Sequence, residues 1–279
     1  MLHSIHLTTK RTLTVDGTVN GVALLNDMIY VIYEKSNVIS VFNSNSTTAS
    51  DQFVIEELQA PRDVAASELN QCIYISDNMS GVVWKIDIKL PRTATKWFYE
   101  RSPYTLYAGP DDTLLVTKYN ENRLSLYDHY GRYEKIELRE NLQAMHAVVK
   151  SNGNILVAYT KLEDNNCSWY VGEFDENLDE INCYGPQTGP VKYTKYLTVI
   201  RKGKIDIATL LADGDSNTVL RLGGSLQMDH NNPQNDTLIE LPHHPNRILY
   251  DEKSNELLIS QCNGMINIYS IEHSPFNIV

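Results

Sequence analysis

Six places in the chain carry side chains that could bind a ligand, each just ahead of a short apolar segment. Of the side chains at these places, three are cationic, one is a carboxylate and one is an imidazole. Such a set favours an anion, either a phosphate or the carboxylates of an acidic peptide. A second interpretation is that Arg62 pairs with Asp63 or Asp77 and that the other cations are solvated. The candidate residues are Asn20, Arg62, Asp63, Tyr104, His146, Lys195, Asn246 and Arg247.

These residues do not match the ligand sets of metal enzymes. A calcium site needs two or more carboxylates, and a catalytic zinc site needs converging histidines or cysteines. Only Asp63 and His146 could contribute, and the four cysteines show no CxxC spacing. We interpret His146 as a hydrogen-bonded structural histidine. We therefore predict no metal, no cofactor and no catalytic residue.

Composition narrows the class of protein. The 279 residues are 42% hydrophobic and 21% charged, which is ordinary for a globular chain, and the seventeen tyrosines favour β structure. The net charge of −11 argues against a general binder of phosphate backbones. No apolar run of about 18 residues occurs, so we expect no membrane span. No signal-peptide pattern opens the chain, and the compartment stays open.

The elements that would position the candidates form a repeat. Six apolar segments begin at intervals of roughly 40 to 50 residues, a period typical of propeller blades. Each follows a shorter apolar segment and a polar turn, and each precedes two further strands. Helical spacing of apolar residues is absent. The six segments begin at Ile29, Ile73, Leu114, Ile155, Ile205 and Leu257.

The repeat predicts an all-β, six-bladed β-propeller with four antiparallel strands in each blade. We expect a single domain over residues 1–279. A strand at Lys10–Val15 would complete the last blade and close the ring, which removes two exposed sheet edges. The predicted blade cores lie near residues 20–57, 62–100, 104–138, 145–184, 195–241 and 246–270 plus 10–15.

Propeller geometry places the candidate residues together. The first strand of each blade lines the central channel, and its first residues share a face with the turns between the second and third strands. The same face should therefore carry further side chains, several of them aromatic. Aromatic side chains gathered on one rim suit peptide or protein recognition. These further candidates are Tyr33, Asp77, Lys118, Tyr119 and Tyr159.

The residue pattern of several repeats resembles that of the NHL-repeat family of propellers. That pattern has a proline, an apolar pair, a turn, an Ile-Tyr-Val-x-Asp segment, a turn with Asn and Arg, and a final apolar strand. The aspartate of the pattern occurs at Asp77, and we place Thr209 at the corresponding position of the fifth blade. The second and third blades carry most of the resemblance, through Pro61, Val64, Ala65, Ile73, Tyr74, Ile75, Asp77, Leu114, Leu115, Val116, Asn122, Arg123, Leu124 and Leu126.

The resemblance implies an interaction module, and it leaves three functions open. The leading prediction is a non-enzymatic scaffold that presents one face to a protein or peptide partner, as a monomeric domain of a larger chain. The first alternative is a metal-dependent hydrolase of the lactonase or esterase type, with its ion near Asp63. The second is an RNA-binding domain, disfavoured by the charge, that would use Arg62, Lys118, Arg123 and Arg247.

Overall fold

The computed structural model describes residues 4–109, 112–128, 130–163, 166–185, 193–223 and 237–274. These residues form six four-stranded antiparallel sheets. Each sheet is one blade, and the first strand of each blade contacts the first strands of two neighbouring blades, so that the six close a ring. The predicted six-bladed propeller is confirmed. No helix in the described part of the chain is long and apolar enough to cross a membrane.

The strands of a blade follow one another outward from the channel. The inner strands are β2 (Val19–Leu25), β6 (Pro61–Ser67), β10 (Pro103–Ala108), β14 (Leu142–Val149), β18 (Thr194–Lys202) and β22 (Pro245–Asp251). The second strands are β3 (Met28–Tyr33), β7 (Cys72–Asp77), β11 (Leu114–Lys118), β15 (Ile155–Glu163), β19 (Ile205–Asp213) and β23 (Glu256–Gln261).

The third strands are β4 (Val38–Asn43), β8 (Val82–Asp87), β12 (Arg123–Tyr127), β16 (Asn166–Phe174), β20 (Thr218–Gly223) and β24 (Met265–Ser274). The outer strands are β1 (Ser4–Thr14), β5 (Ala49–Val54), β9 (Thr93–Tyr99), β13 (Tyr133–Glu137), β17 (Glu180–Tyr184) and β21 (Thr237–Glu240). We call the face where the inner strands begin the upper face, and the face where they end the lower face.

Turn residues explain why the inner strands fold back at the lower face. Asn26 and Asp27 connect β2 to β3, and both have positive φ angles, of 51° and 59°. Positive φ at both central residues matches the right-handed twist of a two-residue hairpin, and Asn and Asp tolerate it better than most residues. The polar turn therefore sets the register in which β2 meets β3.

The first and last strands of the chain share one blade. β1 pairs antiparallel with β24, with Leu13 opposite Ile266, as predicted from the apolar segment at Lys10–Val15. The observed strand begins earlier, at Ser4, because β24 is long enough to pair with it as far as Ser274. The sixth blade thereby has four strands.

Apolar contacts seal the junction between the sixth and first blades. Leu13, Ile266 and Ile268 pack in one buried cluster with Val22 and Val31 of the first blade. The side chain of Leu13 is fully buried, whereas that of its neighbour Thr14 is exposed. Ring closure therefore depends on apolar burial as well as on the strand pairing of β1 with β24.

We expect the substitution Leu13→Ala to lower the free energy of unfolding by about 2–5 kcal/mol, because it leaves a cavity at the closing junction. The control substitution Thr14→Ala, one residue further along the same strand, should cost less than about 1 kcal/mol. Urea denaturation followed by tryptophan fluorescence measures both. Equal losses for the two variants would contradict an essential role for this junction.

Candidate binding site

Each inner strand has an irregularity in its register close to its start, and the second residue after the one where it begins occupies an equivalent position in every blade. Bulges of this kind re-aim side chains and are frequent near functional sites. In β10 the equivalent residue is Thr105, whose backbone N–H donates to Thr117 Oγ1 at 3.0 Å. The six equivalent residues are Gly21, Asp63, Thr105, His146, Tyr196 and Arg247.

Three of these residues meet at the centre of the ring. Arg247 Nε lies 3.1 Å from Asp63 Oδ1, and Arg247 Nη1 lies 3.1 Å from His146 Nε2. The guanidinium also lies over the ring of Tyr196, 4.7 Å from its centroid. Asp63 is 0% exposed, His146 1% and Arg247 5%. We call Asp63, His146 and Arg247 the central plug.

The central plug is bonded to the backbone of the inner strands. Asp63 Oδ2 accepts the N–H of Leu106 and Oδ1 accepts the N–H of Val64, both at 2.9 Å. Arg247 donates to the carbonyls of Ile248, at 3.4 Å, and Leu106, at 3.5 Å. A sheet edge leaves such groups unpaired, and a buried unpaired group is costly. The plug therefore satisfies backbone groups that the blades cannot satisfy among themselves.

Burial determines the protonation of the plug. It raises the pKa of Asp63 to about 6, although Arg247 and the two backbone amides oppose the shift. Burial, and then the adjacent Arg247, hold the pKa of His146 well below its usual value. Because a guanidinium can only donate, His146 Nε2 accepts from Arg247, and the backbone N–H of Leu197 points at Nδ1 from 3.5 Å.

The plug does not fit a metal ion. Both oxygens of Asp63 already accept hydrogen bonds, and the nearest nitrogen of His146 faces a guanidinium, whose charge would repel a cation. Among the described residues, no group of three or more His, Cys, Asp or Glu could hold a metal ion. The donor set therefore differs from that of a calcium hydrolase or a zinc lyase.

Above the plug, aromatic and cationic side chains surround the channel on the upper face. The rings of Tyr104 and Tyr119 lie 5.3 Å apart, and Lys195 Nζ lies 4.8 Å from the ring centroid of Tyr193. Burial raises the pKa of Tyr104, and the charges of Lys195 and Arg62 oppose that shift. We call these five residues the upper mouth.

Within the described residues, Arg62 and Lys195 form no ion pair, and Arg62 Nε is buried without a hydrogen-bond partner. The sequence left open a pairing of Arg62 with Asp63, but Arg247 takes that carboxylate instead. Of the three cations expected at one mouth, Arg247 is therefore withdrawn into the plug.

Asn20 and Asn246 connect neighbouring blades. The side-chain amide of Asn20 donates to the carbonyl of Pro61 at 2.8 Å, and that of Asn246 donates to the carbonyl of Val19. Both predicted candidates thus lie beside the channel, and each has a structural hydrogen bond.

Side chains at the ends of the second strands mostly accept hydrogen bonds from the segments that connect one blade to the next. Asp77 accepts the N–H groups of Gln59 and Ala60, each at 2.9 Å. In the fifth blade the equivalent residue is Asp213, which accepts the N–H of Tyr193 at 3.1 Å and stands opposite the first residue of β18. The sequence placed Thr209 at this position. That assignment was wrong because β19 is nine residues long, so its end lies four residues further along.

The other candidate side chains at the ends of the second strands also make structural contacts. Lys118 forms a buried ion pair with Glu100 at 2.7 Å, and Tyr33 is buried in the core. The hydroxyl of Tyr159 donates to Glu180 Oε1 at 2.6 Å.

The cations expected to bind RNA are mostly paired as well. Arg123 lies 3.0 Å from Glu137, Lys118 pairs with Glu100, and Arg247 pairs with Asp63. Only Arg62 of that set keeps a charge without an ion-pair partner among the described residues.

Comparison with known proteins supports the fold. A structure of streptogramin B lyase aligns with 96% of this chain and 98% of that chain, with a TM-score of 0.63 and 11% sequence identity. A structure of selenomethionine-substituted virginiamycin B lyase from Staphylococcus aureus gives a TM-score of 0.64 at 12% identity, over 96% of this chain and 99% of that one. A catalytically inactive variant of that enzyme, with quinupristin, aligns equally well.

At these identities the likeness concerns the propeller fold alone. No protein-family model matches the chain, and no curated protein matches it. The NHL-repeat resemblance therefore stays a prediction.

We expect Arg247→Met to lower the free energy of unfolding by about 3–5 kcal/mol at pH 8, because it leaves the buried Asp63 carboxylate unpaired. Without Arg247 the pKa of Asp63 should rise further above 6. The stability that depends on its protonated form is fully present only below the unfolded pKa, about 4, and is lost as the pH rises from there through the folded pKa, so the variant is less destabilised at pH 5 than at pH 8. Removing Arg247 also eases protonation of His146, which further reduces the loss at low pH.

The measurement is urea denaturation at pH 5 and pH 8, with Arg123→Met as the control for loss of an exposed ion pair. The control should change stability by less than about 1 kcal/mol at both values. A loss for Arg247→Met that does not depend on pH would refute the assigned coupling.

Proposed function

We propose that the chain is a binding scaffold whose upper mouth recognises an acidic peptide segment of a protein partner. The observation that carries the proposal is the pair of cations, Arg62 and Lys195, set among Tyr104, Tyr119 and Tyr193 around one channel. Guanidinium and ammonium groups bind carboxylates, and tyrosines add apolar contact area at low entropic cost.

The carboxylates near the upper mouth are mostly engaged. Asp63 is paired in the plug, and Asp77 and Asp213 accept backbone N–H groups. Asp215 is exposed and close enough to His244 to affect its pKa, so one rim position opposes an acidic ligand. Neither Arg62 nor Lys195 has an ion-pair partner among the described residues, and this positive charge favours an anion at the mouth.

The closed channel favours docking on the surface. Because the central plug lies directly below the upper mouth and is buried, a ligand at the mouth would rest on the rim rather than enter the ring. The structural neighbours include enzymes that act as lyases, but the saturated plug gives no support to a similar reaction at this position.

We expect peptides selected on the immobilised protein from a random displayed library to be rich in Asp and Glu. Their affinity, measured by fluorescence anisotropy with synthetic peptides, should fall at least tenfold in the double variant Arg62→Gln/Lys195→Gln. It should also fall with increasing salt, because the contact is electrostatic. Tenfold corresponds to about 1.4 kcal/mol, a modest figure for two charge-assisted hydrogen bonds.

The matched control is Lys202→Gln/Lys204→Gln, which removes the same charge from exposed positions on the lower face. It should leave affinity within twofold. Selected peptides without acidic enrichment, or peptides that bind both double variants equally, would refute the proposal. Single-stranded RNA that binds more tightly than any peptide, and is lost with Arg62 and Lys195, would assign the upper mouth to RNA instead.

A further inference from the structure

A cavity of about 390 Å³ lies on the other side of the central plug. Residues from all six inner strands line it, in the halves that run towards the lower face, and Arg247 and His146 lie at its inner end. Its volume falls within the range typical of small-molecule sites, roughly 300–1,000 Å³. The cavity and the upper mouth are therefore separated by the plug.

The walls of this lower cavity are apolar, and several are small. Alanine or glycine stands where the second and third blades approach the channel, at Ala65, Ala66, Ala108 and Gly109. Larger apolar side chains from the remaining blades complete the wall. At the three alanines, a larger side chain such as leucine would reduce the space between the inner strands.

One buried carboxylate in the lining has no balancing charge among the described residues. Asp112 is only 3% exposed, and it accepts a hydrogen bond from Ser67 Oγ through Oδ1. Its Oδ2 has no hydrogen-bond partner, and no cation pairs with it, among the described residues. A buried carboxylate is unfavourable unless it is paired, so this position is one where a ligand cation would be stabilised.

The cationic side chains around the cavity already form ion pairs with other residues. Arg247 is paired with Asp63. Arg201 lies 3.0 Å from Asp206 and also donates to the hydroxyl of Tyr107 at 3.3 Å and to the carbonyl of Val149. At the rim, Lys253 lies 2.6 Å from Glu68. Among the described residues, the cavity thus combines a more apolar than polar lining with one buried carboxylate that has no cation partner, whereas Glu252 is exposed at the rim and accepts the N–H of Gly203.

We propose that the lower cavity binds a compact apolar molecule carrying a protonated amine, with the ammonium group directed to Asp112. The apolar body would fill the space below the plug, and charge complementarity would fix its orientation. This site is independent of the function proposed for the upper mouth, because no residue of the upper mouth lines the cavity.

The test compares three probes that share one apolar body: benzylamine, benzyl alcohol and benzoate. Binding to the full chain is measured by calorimetry at pH 7.5 and by ligand-observed NMR. We expect benzylamine to bind at least tenfold more tightly than benzyl alcohol, and benzoate to bind most weakly. This comparison needs no variant.

Variants then locate the site. Asp112→Asn keeps the shape of the side chain and should weaken benzylamine at least tenfold, with benzyl alcohol unchanged within twofold. Ala66→Leu should fill the cavity and weaken both probes. The control Asp27→Asn removes a charge from an exposed turn on the same face and should change neither affinity. Arg62→Gln/Lys195→Gln, at the upper mouth, should also have no effect.

Three results would overturn the proposal. These are the absence of benzylamine binding at millimolar concentration, equal affinity for the amine and the alcohol, and unchanged amine affinity in Ala66→Leu. Thermal melts establish that each variant is folded. If Asp112→Asn does not fold, the order of affinity among the three probes and the weaker binding to Ala66→Leu still test the proposal.

Discussion

Six inner strands present their edges to a common channel, and the backbone groups along those edges need partners. At the middle of the channel the partners are side chains from three blades: Asp63, His146 and Arg247. A buried ion pair is not in itself a source of stability, because desolvation opposes the attraction between the charges. Here the pair also satisfies backbone N–H and carbonyl groups. It therefore links the second, fourth and sixth blades across the ring and fixes how closely they approach.

The same plug divides the channel into two environments of opposite character. The upper mouth carries two cations without an ion-pair partner among the described residues and exposed aromatic surface, which suits a large anionic partner. The lower cavity has a more apolar than polar lining and one buried carboxylate that has no cation partner among the described residues, which suits a small cation. Because Arg247 belongs to the plug, its charge is available to neither side. One set of buried charges thus accounts for why the two ends of the channel favour different ligands.

The fold followed from the sequence because strand burial and turn residues repeat with the blade period, and six apolar segments with polar turns admit few other arrangements. The site followed only in part. Asp63, His146 and Arg247 were placed near one another by propeller geometry. Their mutual contacts were not foreseen, because side-chain pairing across a ring depends on bulges that the sequence does not reveal. Asp213 was missed because β19 exceeds the usual strand length. No sequence pattern indicated the lower cavity, because small apolar residues such as those in its lining are typical of any buried core.

The pairing of β1 with β24 has a consequence for the synthesis of the chain on the ribosome. β1 is made early, yet its only strand partner in the described structure is among the last to be made. During translation the first five blades can form their own hairpins, while the edge of β1 stays unpaired and Leu13 stays exposed to solvent. Contacts of such long sequence separation form slowly, and exposed edges invite aggregation. The nascent chain is therefore most vulnerable just before its final blade emerges, when chaperone protection would matter most.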